Sequence, residues 1–325
     1  MSEIVINAQN LSKNFYNFDS RLPFIKRFLK RNQITIRAVQ DISFTIKRGS
    51  IVGFIGSNGA GKSTTIKMLT GTLYPSSGKL EVNGEIPFKR SINFRKKISI
   101  VVGNKLQLFQ DVSAMDYFQL IGTLYEVEPA ILQERIQELS NLLNVKDQLY
   151  QHLSLGQKMK MEFIAASLTS PEILFLDEPT IGLDIQSKKD IRTFLKKMNE
   201  ECHTTIILTS HDMDDISSVC DELIVIDKGK IILQESMDVI LSKFSDFKYL
   251  KIKMTLDLVP ELCSVKGVVV ISQTKSECIL KIPRDFVFET LESINKLVDI
   301  EDFEISNLSL EEIILQNYFT KKEHN

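Results

Sequence analysis

The nine residues GSNGAGKST, Gly56 to Thr64, constrain this chain more than any other stretch. They follow a continuous apolar run, SIVGFI, and precede KSTTIKMLTG, which reads as a helix. The spacing G-x-x-x-x-G-K-[ST] in a strand–turn–helix setting is a phosphate cradle. Its glycines let backbone N–H groups wrap around anionic oxygens, and the helix start adds unbonded N–H groups and partial positive charge. Gly56, Ser57, Asn58, Gly59, Ala60, Gly61, Lys62, Ser63 and Thr64 are therefore candidate ligand-binding residues. Lys62 can reach the outer phosphates, and the Ser63 hydroxyl is placed to ligate Mg²⁺.

A second stretch supplies acids. ILFLDE ends an apolar strand with Asp177 and Glu178. Open α/β sheets bind ligands at the carboxyl ends of their strands, so both acids belong on the phosphate edge. Asp177 is expected to face Mg²⁺ through water, and Glu178 to orient or deprotonate an attacking water. His211 ends the next apolar strand, TTIILTSH, and its position favours a contact to the γ-phosphate. Together these residues predict a nucleotide hydrolysis site, with Glu178, His211 and Lys62 in catalysis.

The rest of the chain reads as two textures. Up to about Met237, buried runs alternate with helical periods such as Ile191, Phe194, Leu195 and Met198, which predicts a mostly parallel α/β sheet. Two β runs precede it, and residues 113–168 are helical. GKLEVNGE predicts a strand entering an Asn-Gly turn. Beyond Met237, strand-like YLKIKMTL, GVVVISQ, ECILKIP and VDIEDFEIS are interspersed with two helical stretches. In those stretches Val287, Leu291, Ile294 and Val298 share a face, and Ser309 with Glu312 fits a capping box. The expected division is 1–237 and 238–325, the second part a small α+β domain of ferredoxin-like βαββαβ type.

Several classes are excluded. A net charge of −2 gives no global attraction to nucleic acid. No apolar run approaches the ~18 residues that cross a bilayer, and the first residues carry no signal-peptide pattern. Cys202, Cys220, Cys263 and Cys278 lie far apart, which predicts buried free thiols rather than a metal or disulfide framework.

LSLGQ, Leu153 to Gln157, breaks two amphipathic runs and opens a helix, another anion-binding setting. With it in place, roughly Ile4 to Glu235 resembles the ATP-binding cassette (ABC) nucleotide-binding domain. The resemblance rests on the Walker A loop, the signature LSLGQ, Walker B ILFLDEPT, the D-loop IGLD and the switch His211, in that family's order. It implies a P-loop NTPase cassette with a mostly parallel core, an N-terminal antiparallel β subdomain and a helical subdomain, binding ATP and Mg²⁺. It implies two cassettes meeting head to tail, with Ser154, Gly156 and Gln157 of one closing on a nucleotide held by the other. Asp184 of the D-loop would lie at the same interface. Phe15 stands at the position of the family's adenine-stacking aromatic, with Tyr16 as its rival.

Two departures stand out. Leu155 replaces a second glycine of the commonest signature. The family's glutamine that joins Mg²⁺, water and the transport subunit falls near Asn104, and either Asn104 or Gln107 fills that role. The wider pattern resembles ATPase subunits of type-2 ABC exporters. It implies a separate membrane permease, a docking groove near Asn104 to Tyr117, and a peripheral place on the cytoplasmic face of the membrane. The segment Arg21 to Arg37 holds six basic residues and no acidic one, and suits either a membrane or permease surface or a solvated extension. The alternatives are a non-transport ABC ATPase of the translation or DNA-repair type, and a regulatory module that holds ATP without turnover. Substrate identity and the partner cassette, identical or related, are not written in the sequence.

Overall fold

Alternation of apolar residues decides which faces of the first strands are buried. The computed structural model describes residues 3–18, 33–103, 111–254, 268–274, 277–297, 300–307 and 310–314. The chain divides into two units, 1–235 and 236–325.

The first unit opens with β1 (Ile4–Phe18) and β2 (Gln33–Lys47), an antiparallel hairpin. These strands are 15 residues each, longer than the short runs expected. In β2, Ile42, Phe44 and Ile46 are buried while Ser43, Thr45 and Lys47 are exposed, the two-residue period of a half-covered strand. The basic segment joins the two strands: 33–37 lie in β2, and 21–32 lie outside the described residues.

β3 (Ile51–Ile55) leads through the phosphate loop into α1 (Lys62–Leu69). β4 (Ser77–Val82) then pairs with the free side of β1 and completes a three-stranded antiparallel sheet, β2-β1-β4. The turn after it has Asn83 at φ 53° and Gly84 at φ 75°, the left-handed pair a two-residue hairpin turn requires. α2 (Ile92–Lys97) and β5 (Ile98–Val102) follow. The helical stretch resolves into α3 (Ala114–Leu124), α4 (Pro129–Leu143) and α5 (Leu155–Ser167). In α4, Pro129 sits at the first helical position and Glu128 caps it, accepting from the Ala130 and Ile131 N–H groups. Then come β6 (Ile173–Asp177), α6 (Ile185–Cys202), β7 (Thr205–Thr209), α7 (Met213–Val219), β8 (Glu222–Asp227) and β9 (Lys230–Ser236).

The second sheet has the order β5-β6-β7-β3-β8-β9. Its first five strands pair parallel, and β3 and β7 are buried along their whole length. Strands covered on both faces read as continuous apolar runs, which is why their pattern does not alternate. Phe44 and Phe54 meet edge to face at 5.9 Å and join the two sheets in one core. Burying a side chain of that size contributes roughly 1.5–3 kcal/mol.

The second unit starts with α8 (Met237–Ser245), so the change of texture at Met237 coincides with a helix start. β10 (Phe247–Met254), β11 (Val269–Gln273), β12 (Glu277–Pro283), α9 (Val287–Leu297), β13 (Ile300–Ser306) and α10 (Leu310–Ile314) complete it. Its strands form an antiparallel sheet, β11-β12-β10-β13, the order in which a βαββαβ chain lays its strands. The first helix of that pattern would fall in 255–267, outside the described residues, as do Val298 and Ser309. Leu250, Ile252, Cys278, Leu280 and Ile282 pack under Val287 and Ile294 as a separate core. Cys220 and Cys278 are buried, but Cys202, the last residue of α6, is exposed, against the expectation of a buried thiol. Cys263 lies outside the described residues. Among the described residues, no helix is long and apolar enough to cross a membrane.

Candidate active site

Parallel pairing places the carboxyl ends of β3, β6 and β7 on one edge, and the predicted phosphate residues converge there. A Cβ on Gly56 would lie 2.1 Å from the Ile226 carbonyl oxygen, so the loop leaves β3 in contact with the backbone of β8. Gly61 is at φ 113°, a conformation closed to other residues, and turns the chain into α1. No side chain caps α1, so its first N–H groups are left for a ligand. Lys62 is 5 % exposed and its ammonium donates to the carbonyls of Gly56 (2.7 Å) and Ser57 (3.2 Å). Burial lowers its pKa, and the nearby Glu178 and Asp177 carboxylates work the other way.

Ser63 Oγ donates to Asp177 Oδ1 at 3.0 Å, and Thr209 Oγ1 donates to the same oxygen at 2.7 Å. Glu178 is at φ 52°, unusual for a residue with a Cβ. Its N–H is held by Thr209, to both the carbonyl and Oγ1 at 3.1 Å. Gly103 closes the other side, because a Cβ there would lie 1.9 Å from the Glu178 carbonyl oxygen. The Glu178 carboxylate, 19 % exposed, faces His211 Nδ1 at 3.3 Å, and the imidazole is 55 % exposed. Glu178, Gly182, Ser210 and His211 line a pocket of about 290 Å³.

LSLGQ forms a reciprocal capping box at the start of α5. Ser154 Oγ accepts from the Gln157 N–H (3.3 Å), and Gln157 Oε1 accepts from the Ser154 N–H (2.9 Å). α6 starts alongside. Asp184 caps it, accepting from the Ser187 N–H (2.9 Å) and Oγ (2.7 Å), and those bonds lower its pKa. A Cβ on Gly156 would lie 2.3 Å from Ser187 Oγ, so the glycine lets the two helix starts touch.

Comparison with known proteins fixes the family. Over 216 residues the chain is 32 % identical to the ABC transporter ATP-binding protein NatA of Bacillus subtilis, a match covering 66 % of this chain and 87 % of NatA. The chain belongs to the ABC transporter ATP-binding proteins. Residues 39–181 match the family model described as ABC transporter. The bacitracin transport ATP-binding protein BcrA of Bacillus licheniformis is 27 % identical over 291 residues, covering 88 % of this chain and 92 % of BcrA. The fold is that of a solved dimeric ATP-binding cassette, MJ0796, bound to ADP and Pi, with a TM-score of 0.59 at 20 % identity over 71 % of this chain and 98 % of that one. As an ABC ATP-binding subunit the chain is an ATPase serving a transport system, and ATP is its nucleotide.

Within this ABC subunit, Lys62, Ser63, Asp177, Glu178 and His211 share one edge, while Ser154, Gly156, Gln157 and Asp184 share another setting. Phe15 and Tyr16 are both exposed on β1, with Lys13 Nζ 5.3 Å from the Phe15 ring centre. Asn104 and Gln107 lie outside the described residues. Sequence reading missed Thr209, which braces both acids, and Gly103. A threonine closing an apolar strand beside a candidate histidine is the signal for the first; nothing local marks the second.

Proposed function

We propose that this chain is the ATP-hydrolysing subunit of an exporter and drives a separate membrane permease through closure of a cassette dimer. The observation that carries the reading is Glu178 Oε2 at 3.3 Å from His211 Nδ1, with Asp177 tied to Ser63 beside it. The loop N–H groups and Lys62 would bind the phosphates of ATP. Glu178 accepts the proton of the attacking water, and His211 holds the γ-phosphate in line. Ser63 and Asp177 offer hard oxygen donors. Among the described residues no cluster of three or more His, Cys, Asp or Glu side chains surrounds a metal position. That suits Mg²⁺, which is held by one or two protein oxygens and otherwise by phosphate and water. Bound there, Mg²⁺ would neutralise phosphate charge.

Ser154, Gly156 and Gln157 are the second half of a site completed by another copy or a related cassette. The capping box takes the Ser154 and Gln157 N–H groups, so the anion contact falls to the other N–H groups of the helix start, that of Gly156 among them. Contacts made to the γ-phosphate are lost after hydrolysis, so the dimer would close with ATP and open with ADP. Export is supported by the resemblance to type-2 exporter ATPases. The permease contact is assigned to the groove between α2, β5, α3 and α5, lined by Arg95, Ile100, Tyr117 and Glu162, at the cytoplasmic face of the membrane.

The test is Glu178→Gln. It should reduce turnover at least about 100-fold while ATP binding persists, and ATP should then trap a dimer. Adding Ser154→Arg should abolish the dimer and leave monomer binding. Wild-type turnover no faster than the Glu178→Gln variant would refute the hydrolase mechanism, and a dimer indifferent to Ser154→Arg would refute the sandwich.

A further inference from the structure

The start of α6 grips the switch loop with two basic side chains one helical turn apart. Lys188 pairs with Asp212. Arg192 donates from Nε at 2.6 Å, and from Nη2 as well, to Oδ1 of Asp215. Asp215 is 1 % exposed. Its other oxygen accepts from Thr180 Oγ1 and, at 3.5 Å, from Ser210 Oγ. One buried carboxylate on α7 thus collects the loop after β6, helix α6 and the loop after β7. Ser210 also accepts from the Asp212 N–H at 3.0 Å, so both neighbours of His211 are fixed. The imidazole itself is more than half exposed, so little packing aims it, and its direction is set by this backbone frame.

We infer that Asp215 is a positioning residue for hydrolysis. Through Arg192, Thr180 and Ser210 it holds His211 against Glu178. Its partner Arg192 stands on α6, the helix whose first turn is capped by Asp184, the predicted interface residue. A partner cassette that displaces the start of α6 therefore displaces His211, and turnover is tied to the seating of the second copy. The inference rests on the reading of Glu178 and His211 as a working pair. Breaking a buried ion pair by removing one charge loosens every element it joins.

The experiment is steady-state ATPase kinetics of full-length Asp215→Asn, His211→Ala and the double variant, with single-turnover assays on labelled ATP for the slow ones. Asp215→Asn should lower kcat about tenfold with KM within about twofold. In the His211→Ala background it should lower turnover no further, because both changes act through one side chain. A kcat for Asp215→Asn within twofold of wild type overturns the inference. So does an equal loss in both backgrounds, which marks a general structural role. Full turnover in His211→Ala alone would instead refute the reading of His211. Where Asp215→Asn does not fold, Thr180→Val removes one hydroxyl donor and is read through the same cycle, with about a threefold loss expected.

Discussion

Glu178 occupies a left-handed backbone conformation at a strand end, and the residues around it leave it no alternative. Its N–H is bonded to Thr209, and its carbonyl oxygen abuts Gly103 so closely that a Cβ would stand 1.9 Å away. Gly103→Ala must push the Glu178 peptide aside. Since misplacing a catalytic group by about 1 Å can cost 100-fold, Gly103→Ala should lower kcat by about 10- to 100-fold. Nucleotide affinity, measured by equilibrium binding, should stay near wild type, because Lys62 and the loop are untouched; a parallel loss of affinity would contradict this. Glu172 carries a second residue-scale expectation. Burial works to raise its pKa, but Arg48 Nη1 at 2.7 Å and Lys97 Nζ at 3.1 Å outweigh that and hold the carboxylate below its ordinary range. A depressed carboxylate contributes stability that is complete above its unfolded pKa and is lost as pH falls through the folded value. Denaturant titrations from about pH 6 to 3 should show stability falling below about pH 4.5, with a shallower fall in Glu172→Gln. Identical acid limbs would show that Arg48 and Lys97 do not hold this group.

At the scale of elements, two helices begin side by side, and each is capped by its own sequence. The Ser154–Gln157 box closes α5, and Asp184 with Ser187 closes α6. Gln157→Ala removes one of the two reciprocal bonds and should cost about 0.5–1 kcal/mol, lowering the melting temperature of the first unit by about 1–4 °C. No change in a thermal scan would mean that water replaces the bond at no cost. These caps also show what is legible without coordinates. The phosphate loop, the acidic strand end and the capping box are written in neighbouring residues, because each is a local backbone requirement. The grip of Lys188 and Arg192 on Asp212 and Asp215 is not, since it depends on α6 and α7 crossing beside the sheet. Thr209 falls between: its place at a strand end is readable, but its bond to Asp177 exists only because β6 and β7 are neighbours. β1 and β2 ran beyond the readable pattern because strands in a hairpin support each other after alternation fades.

At the scale of the whole molecule, the described residues of each unit gather a core of their own. One gathers residues from both sheets of 1–235, and the other is the small cluster around Leu250, Leu280 and Ile294 within 236–325. Every residue of the proposed ATP site lies in the first unit. Ligand therefore stabilises one unit and not the other, and calorimetry can separate them. With Glu178→Gln to prevent turnover, ATP at about 100 times its Kd adds about 2.7 kcal/mol to the unit that binds it. For a unit of this size that raises the melting temperature by about 5–10 °C. Two transitions are expected: a smaller one from 236–325 that does not move with nucleotide, and a larger one that does. A single transition moving as a whole would show that the cores unfold together. A shift confined to the smaller transition would place the nucleotide on the wrong unit and overturn the site. With Lys62→Ala the larger transition should lose its response to ATP, read against the variant's own ATP-free position, because losing the buried ammonium also orphans the Gly56 and Ser57 carbonyls and shifts that baseline.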